Sequence, residues 1–465
     1  MESLKKRVNT GLESSRESRD SIPDSTFKAT RVPHSGRFWA YLTALTVVLI
    51  LISMTESQTI KNAAPSLDEL RNRARDLVPI LKDRAVETEN LRRIPDANMA
   101  DLRDAGFCRL YTPKIFGGFE MDWGAHCEIA EEVARGCGSS AWLVAVVLSH
   151  SWMVARFGEA AQRVVLEGDP DAVIASAFAG KSEMKKVDGG YQLTGTWAFA
   201  SGIHHASWTI VGAPVVNGDA LPPGVRPPYR MALLKAGQYD IIDDWHAAGL
   251  KGTGSNSLKV VEQFVPDDLT VLSDDMTGAA PAGAALHGSY IYGVEFVPYL
   301  ESSFVGPLIG AAKGAVDDYL SITKARVGRE FGEKVVEQEG VQVRVAESVM
   351  DVKVADRLIK HVLQGLHEDG LEGRPITGER WAMQRMTLTY ATRLCVNAVD
   401  RLVSMMGATG QTGHNPVQRH YRDIKAIAAH TSLIWDRAAI PAGKWILGLP
   451  TGDPSIDESN DAFQI

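Results

Sequence analysis

The chain has 465 residues, 45% of them hydrophobic and 23% charged, enough for a large core in two or three structural units. A net charge of −8, with no basic stripe interleaved with aromatics, argues against nucleic acid as a partner and leaves small-molecule chemistry. Cys108, Cys127, Cys137 and Cys395 lack the close pairing of a zinc site and suggest no disulfide framework, so a reducing compartment, the cytoplasm, is expected and a metal is not.

Residues 1–62 read as a disordered polar extension interrupted by an apolar run, Phe38 to Met54, barely long enough to span a bilayer. The polar region before it is too long for a signal peptide. Two readings stay open: translation begins at Met54 and residues 1–53 are an over-extended frame, or the run is a transmembrane anchor. Lys and Arg are too evenly placed on its two sides to orient it. Residues 63–170 show helical periodicity. Ser66 caps the first helix, Trp123 to Arg135 makes another, and AWLVAVVLSHSWMVARFG reads as a nearly all-apolar, buried helix. His150 interrupts that run, and its local reading is a core histidine bonded to a backbone carbonyl.

Between 171 and 298 the pattern changes to short apolar or alternating runs, among them VIASAFA, YQLTGTWAFAS and SLKVVEQFVP, separated by Gly, Pro and Asp turns. These predict antiparallel strands in a small β-barrel or sandwich between helical units. In one strand the alternation puts Trp197, Phe199 and Ser201 on the same face. Residues 299–448 return to long amphipathic stretches, Leu308 to Arg326, Val341 to Leu366, Arg380 to Met406 and Val417 to Leu447, which predict a four-helix bundle; 449–465 is a tail. Asn415 and Pro416 start the last helix, where Arg419, Asp423 and His430 fall within one face. That stripe is either an Arg–Asp pair beside a core histidine or part of a site.

Two strings carry a resemblance. Gly249 to Ser255 (GLKGTGS), followed by Phe264-Val265-Pro266, and Gly407 to Asp423 (GATGQTGHNPVQRHYRD) resemble in spacing and order the β-domain and last-helix signatures of the acyl-CoA dehydrogenase superfamily. The resemblance extends from Ser66 to Leu447. It implies an α+β fold with an N-terminal helical domain, a central antiparallel β-barrel domain and a C-terminal four-helix bundle, usually assembled as a homotetramer. Dehydrogenating members carry a proton-abstracting glutamate near the position that here reads Ala428-Ala429-His430-Thr431-Ser432, where there is no carboxylate. A histidine there, with Trp-x-Phe-x-Ser-Gly upstream, resembles the oxygenase components of two-component flavin-dependent aromatic monooxygenases. That branch includes p-hydroxyphenylacetate hydroxylases, steroid-degradation phenol hydroxylases and dibenzothiophene monooxygenase.

In that branch a separate NAD(P)H-dependent flavin reductase supplies reduced FMN or FAD, O2 adds to give a C4a-hydroperoxide, and one oxygen passes to an aromatic small molecule. By the resemblance, His430, Ser201 and His150 are candidate catalytic residues. Trp197, Phe199, Ser201, Ser176, Arg326 and Arg329 are candidate cofactor contacts, with one of the two arginines on the flavin phosphate across a subunit interface or else forming a solvated helix end. Trp142, Trp152, Phe178 and Phe199 are expected as apolar walls, because the hydroperoxide survives only where water is kept out. An imidazole titrating near neutrality suits proton handling at His430. Arg419 and Arg422 are expected to fix the last helix, and His204 and His205 to be loop residues. No Gly-x-Gly-x-x-Gly follows a strand, so NAD(P)H is not expected to bind here. The alternatives are an acyl-CoA dehydrogenase or related flavin oxidase, and a membrane-tethered, non-catalytic flavin- or ligand-binding protein.

Overall fold

The structure, a computed structural model, describes residues 64–216, 225–327, 332, 334–452 and 454–457. The expected extension with its 38–54 run, the Met54 start, Arg329 and the end of the tail lie outside the described residues. Among the described residues no helix is long and apolar enough to cross a membrane.

Helix α1 (Leu67–Asp83) begins where Ser66 predicts: its hydroxyl accepts the Glu69 N–H at 3.3 Å, and the Glu69 carboxylate accepts the Ser66 N–H at 2.7 Å. Helices α2 (Ala85–Leu91), α3 (Asp96–Asp104) and α4 (Ala125–Ala134) follow. The apolar segment after them is not the single helix expected. Helix α5 (Gly138–Trp142) runs into a wide π turn, Leu143–Val147, in which the Leu148 N–H reaches back five residues to the Leu143 carbonyl at 2.8 Å. Helix α6 (Ser151–Val154) starts only after His150, and α7 (Glu159–Leu166) closes the unit. Two local effects explain the break. Val144, Val146 and Val147 are β-branched and crowd a helix. The Ser149 hydroxyl donates to the Ala145 and Val146 carbonyls, each at 2.9 Å, in competition with backbone N–H groups.

The strands are β1 (Ile174–Ala177), β2 (Ala179–Val187), β3 (Gly190–Ala200), β4 (Trp208–Pro214), β5 (Tyr229–Lys235), β6 (Asp240–Ile242), β7 (Asn256–Pro266) and β8 (Thr270–Leu272). They form two open four-stranded sheets, ordered β1-β4-β5-β8 and β2-β3-β7-β6, rather than a closed antiparallel barrel. The β1–β4 pair is parallel. Strand alternation reports which residues share a face but not which strand pairs with which. Only Phe178 separates β1 from β2, and there the chain leaves one sheet for the other.

The helices that follow are α8 (Phe296–Ser302), α9 (Val305–Ala325), α10 (Glu339–Glu372), α11 (Gly378–Met405), α12 (Pro416–Ala428) and α13 (Trp435–Ile446). Buried α9 packs between α4 on one side and α11 and α12 on the other. At Gly310 a Cβ would lie 2.1 Å from the Glu131 carbonyl oxygen, so the α4–α9 approach depends on glycine. Asn415 caps α12 as expected, its side chain accepting the Val417 N–H at 2.9 Å. The predicted continuous helix from Val417 to Leu447 is corrected: α12 ends at Ala428, a single 3-10 turn spans Thr431–Leu433, and α13 is a new helix. His430 sits in the break, so it does not share one helical face with Arg419 and Asp423. Its ring Nδ1 takes the Ser432 N–H at 3.3 Å, a local bond that competes with continuing the helix.

The two signature strings are halves of one joint. The Asp423 carboxylate accepts the Leu250 N–H at 2.7 Å, and Arg422 reaches the Ala248 carbonyl at 3.1 Å and pairs with Glu89 at 2.6 Å. At Gly249 a Cβ would fall 1.9 Å from the Arg422 carbonyl oxygen, a backbone approach that excludes any side chain. Gly252 N–H donates to the Ser139 hydroxyl at 3.1 Å, fixing the same loop to α5. The loop before Ser255 and the helix before His430 are therefore positioned by a common set of contacts.

Candidate active site

Trp142, at the end of α5, is 7% exposed, and its indole N–H donates to the Ser201 hydroxyl at 3.2 Å. Ser201 lies just beyond β3, where the strand is irregular: the register shifts between Trp197 and Ala200, and Phe199 takes φ +66°. The bulge overturns the expected shared face. Trp197 is fully buried with its N–H on the Gly212 carbonyl at 2.8 Å, whereas Phe199 is 65% exposed and meets Trp245 edge-on at 6.4 Å. Ser201 alone of the three joins Trp142.

His430 comes to the same place from the opposite end of the sequence. Its ring lies 3.8 Å from the Phe304 ring centroid and 5.8 Å from that of Trp142, and those two stack on each other at 5.5 Å. Burial pushes the imidazole down to about 4, so it is neutral at pH 7. Because Ser432 N–H points at Nδ1, the ring proton is on Nε2, and His430 presents an N–H donor.

His150 ends the π-turn segment and is 3% exposed. Its Nδ1 lies 2.7 Å from the Ile174 carbonyl, which can only accept, so Nδ1 carries the proton. Nε2 is then a lone pair, and it faces the Ser176 hydroxyl at 3.4 Å. Burial holds this imidazole too at about 4. Both the local reading, a carbonyl-bonded core histidine, and the pairing with Ser176 are present at once. His150 and His430 thus offer opposite functions, an acceptor and a donor, both uncharged. His150 lies eight positions after Trp142, beyond the π turn.

The other expected residues fall elsewhere. Trp152 is 1% exposed, donates to the Ile291 carbonyl at 2.6 Å and stacks on Phe296 at 5.0 Å, a core pillar rather than a wall beside Ser201. Phe178 is 37% exposed. Arg326, ending α9, donates to the Met405 carbonyl at 3.4 Å beside the Gly407–Gln411 turn. His204 bonds Asn256 at 2.9 Å and His205 the Ile94 carbonyl at 3.0 Å in the turn after Ser201. Phe304 and the Ser255–Thr253 pair behind Ser201 were not anticipated. Ser255 stood in the GLKGTGS string, but nothing local to Phe304 distinguishes it from the core phenylalanines. Among the described residues no group of three His, Cys, Asp or Glu side chains could hold a metal ion.

Family models for the acyl-CoA dehydrogenase N-terminal and C-terminal domains match residues 65–165 and 302–435. The oxygenase subunit HsaA of a flavin-dependent monooxygenase from Mycobacterium tuberculosis is 33% identical over 382 residues, covering 82% of this chain and 96% of that protein. The chain belongs to the flavin-dependent monooxygenase oxygenase components of the acyl-CoA dehydrogenase superfamily. Within this family, the oxygenase component of an FADH2-dependent resorcinol hydroxylase from Rhizobium sp. is 32% identical, covering 82% of this chain and 94% of its own. The crystal structure of the HsaA monooxygenase from M. tuberculosis superposes with a TM-score of 0.77 at 32% identity, over 84% of this chain and 99% of that one.

The buried imidazoles of this oxygenase component set its acid stability. His150 and His430 at about 4 and His126 at about 3 are neutral when folded, while the unfolded chain protonates near 6.5. Their depressed values make their contribution full above pH 6.5 and lost as pH falls toward 4. With up to three extra protons on the unfolded state, stability should fall by as much as about 4 kcal/mol per pH unit near pH 5. Urea midpoints at pH 7.5, 6 and 5 with an unchanged m-value test this. Equal midpoints at the three values would contradict it.

Proposed function

We propose that this chain is the oxygenase component that hydroxylates a phenol, taking reduced FMN or FAD from a separate NAD(P)H-dependent reductase. One observation carries the reading: two neutral imidazoles of opposite hydrogen-bonding sense, His150 and His430, stand on either end of the Trp142 segment, and no carboxylate bonds either of them among the described residues. The donor set fits a flavin. A half-buried hydroxyl at Ser201, bonded by the indole of Trp142, which itself stacks on Phe304, suits a flat and largely apolar heteroaromatic ring.

When bound, reduced flavin supplies the two electrons that activate O2 for transfer of one oxygen atom to the substrate. Ser201 and Phe199 would hold its ring, Trp197 would brace their strand from beneath, and Arg326 or Arg329 would meet its phosphate across a subunit contact. His150 takes the phenolic proton on Nε2, with Ser176 orienting the hydroxyl. His430 contributes an N–H that binds oxygen without giving up a proton, since at neutral pH it has no acidic proton to deliver and premature protonation would release hydrogen peroxide. Apolar Trp142 and Phe304 keep water from His430.

The names of the relatives, resorcinol hydroxylase and p-hydroxyphenylacetate 3-hydroxylase, support phenols as the substrate class. On the same reading the helical unit spans 63–170, the sheet unit 171–298 and the bundle 299–448. A homotetramer is supported by Val343, Met350 and Val354, exposed apolar residues along one line of α10 that a second copy would cover. Four free, buried cysteines support work in the reducing cytoplasm.

The test supplies reduced FMN or FAD from an unrelated reductase with a panel of phenols, and follows product mass. A gain of one oxygen atom is the expected result. No product with any phenol, together with bleaching of bound oxidised FAD by an acyl-CoA, would return the chain to dehydrogenase chemistry.

A further inference from the structure

Four hydroxyl and indole groups behind the site form a chain of hydrogen bonds, and counting protons gives its direction. The Trp142 N–H can only donate, and the Ser201 hydroxyl accepts it at 3.2 Å. Ser201 Oγ lies 2.7 Å from Ser255 Oγ, and Ser255 Oγ lies 2.7 Å from Thr253 Oγ1. Thr253 Oγ1 in turn lies 2.9 Å from the Leu250 carbonyl oxygen. A carbonyl cannot donate, so that last contact is a bond only if Thr253 directs its single hydroxyl proton to Leu250. Thr253 must then accept from Ser255, and Ser255 from Ser201. The reverse direction leaves the Thr253 and Leu250 oxygens facing each other at 2.9 Å with no proton between them, where Thr253 is 1% and Ser255 5% exposed.

We propose that this relay fixes the polarity of Ser201. Its proton is committed to Ser255 and one lone pair to Trp142, so the hydroxyl can meet an incoming group only as an acceptor. The N5 atom of a reduced flavin carries a hydrogen and can donate to such an oxygen, whereas N5 of an oxidised flavin offers only a lone pair. Ser255 and Thr253 are therefore positioning residues that make the site select flavin in its reduced form and release it once reoxidised, which is what a carrier delivered by a separate reductase requires. The inference rests on the reading above that a flavin ring meets Ser201. Its loop is independently held: the Thr253 carbonyl accepts the Gly202 N–H at 2.8 Å, and the Leu250 carbonyl accepts the Trp245 indole N–H at 3.2 Å. Loss of one hydroxyl therefore leaves the backbone in place.

The measurement is the ratio of dissociation constants for oxidised and reduced FMN and FAD, titrated anaerobically with the full chain. Ser255→Ala or Thr253→Val frees the Ser201 proton to donate, and the preference for reduced flavin should fall about tenfold, the scale of one hydrogen bond. Thr253→Ser, which restores the hydroxyl, should keep the wild-type ratio, and Ser201→Ala should lose it. If Ser255→Ala and Thr253→Val keep the wild-type ratio while Ser201→Ala loses it, the relay is wrong and the flavin contact stands. If Ser201→Ala keeps the ratio as well, the flavin contact itself is wrong. Thr253 and Ser255 are separate residues of one loop, so a fold defect in one variant, seen by circular dichroism, leaves the other to decide.

Discussion

An oxygenase component carrying His430→Ala is expected to go on binding reduced flavin and consuming oxygen while returning most of that oxygen as hydrogen peroxide. The imidazole is clasped by Phe304 at 3.8 Å and stands 5.8 Å from Trp142, and its Nδ1 is occupied by the Ser432 N–H, so Nε2–H is the donor the ring has left to offer. Loss of one preorganised donor of this kind reduces the assisted step by about 10²- to 10³-fold. Oxygen uptake should change far less, because the electrons come from the flavin. The diagnostic quantity is product formed per oxygen consumed, measured beside peroxide. His430→Gln, which keeps a side-chain N–H, should recover part of the coupling. Wild-type coupling in the alanine variant would remove His430 from the chemistry and leave it a helix-breaking residue between α12 and α13.

His150→Ala is expected to lose 10²- to 10⁴-fold in hydroxylation, the range for a positioned general base, by a different route that pH exposes. The wild-type base, held at about 4, stays ready across the neutral range, so activity should show no falling limb near pH 6.5. Without it the enzyme must bind substrate already ionised. The rate of His150→Ala should then rise about tenfold per pH unit toward the phenol's own value near 10 and approach wild type there. A variant whose rate ignores pH would mean that His150 does not take the phenolic proton. Ser176→Ala should weaken phenol binding without creating this pH slope, since its hydroxyl touches Nε2 only at 3.4 Å and carries no base of its own.

How much of this could be read from the chain depends on the range of the contacts involved. The capping box at Ser66, the Asn415–Pro416 helix start and the helical–strand–helical order depend on residues a few positions apart, and the structure has them where spacing predicts. The two glycine-bearing strings were legible as signatures, yet their purpose was not. The Leu250–Asp423 bond joins residues 173 positions apart, and it is this closure that makes glycine obligatory at 249. Alternation failed at Phe199 because a bulge turned it to solvent, and helical periodicity failed at Ser149 and His430 because side chains took over backbone hydrogen bonds. Strand pairing was beyond the pattern altogether, so an antiparallel barrel was expected where two open sheets and a parallel β1–β4 pair exist.

By itself the sequence determined the chemistry available: a histidine where dehydrogenating relatives need a carboxylate, a serine after a Trp-x-Phe strand, and the catalogue of elements that carry them. Only the tertiary structure decided what those groups can do. It brought Trp142, Ser201, Phe304 and His430 together from four separate segments, buried both imidazoles until they are neutral, and left one with an accepting lone pair beside Ser176 and the other with a donating N–H. The physical reason is that residue type sets which protons and lone pairs exist, while their direction is set by whichever neighbours the fold closes upon them.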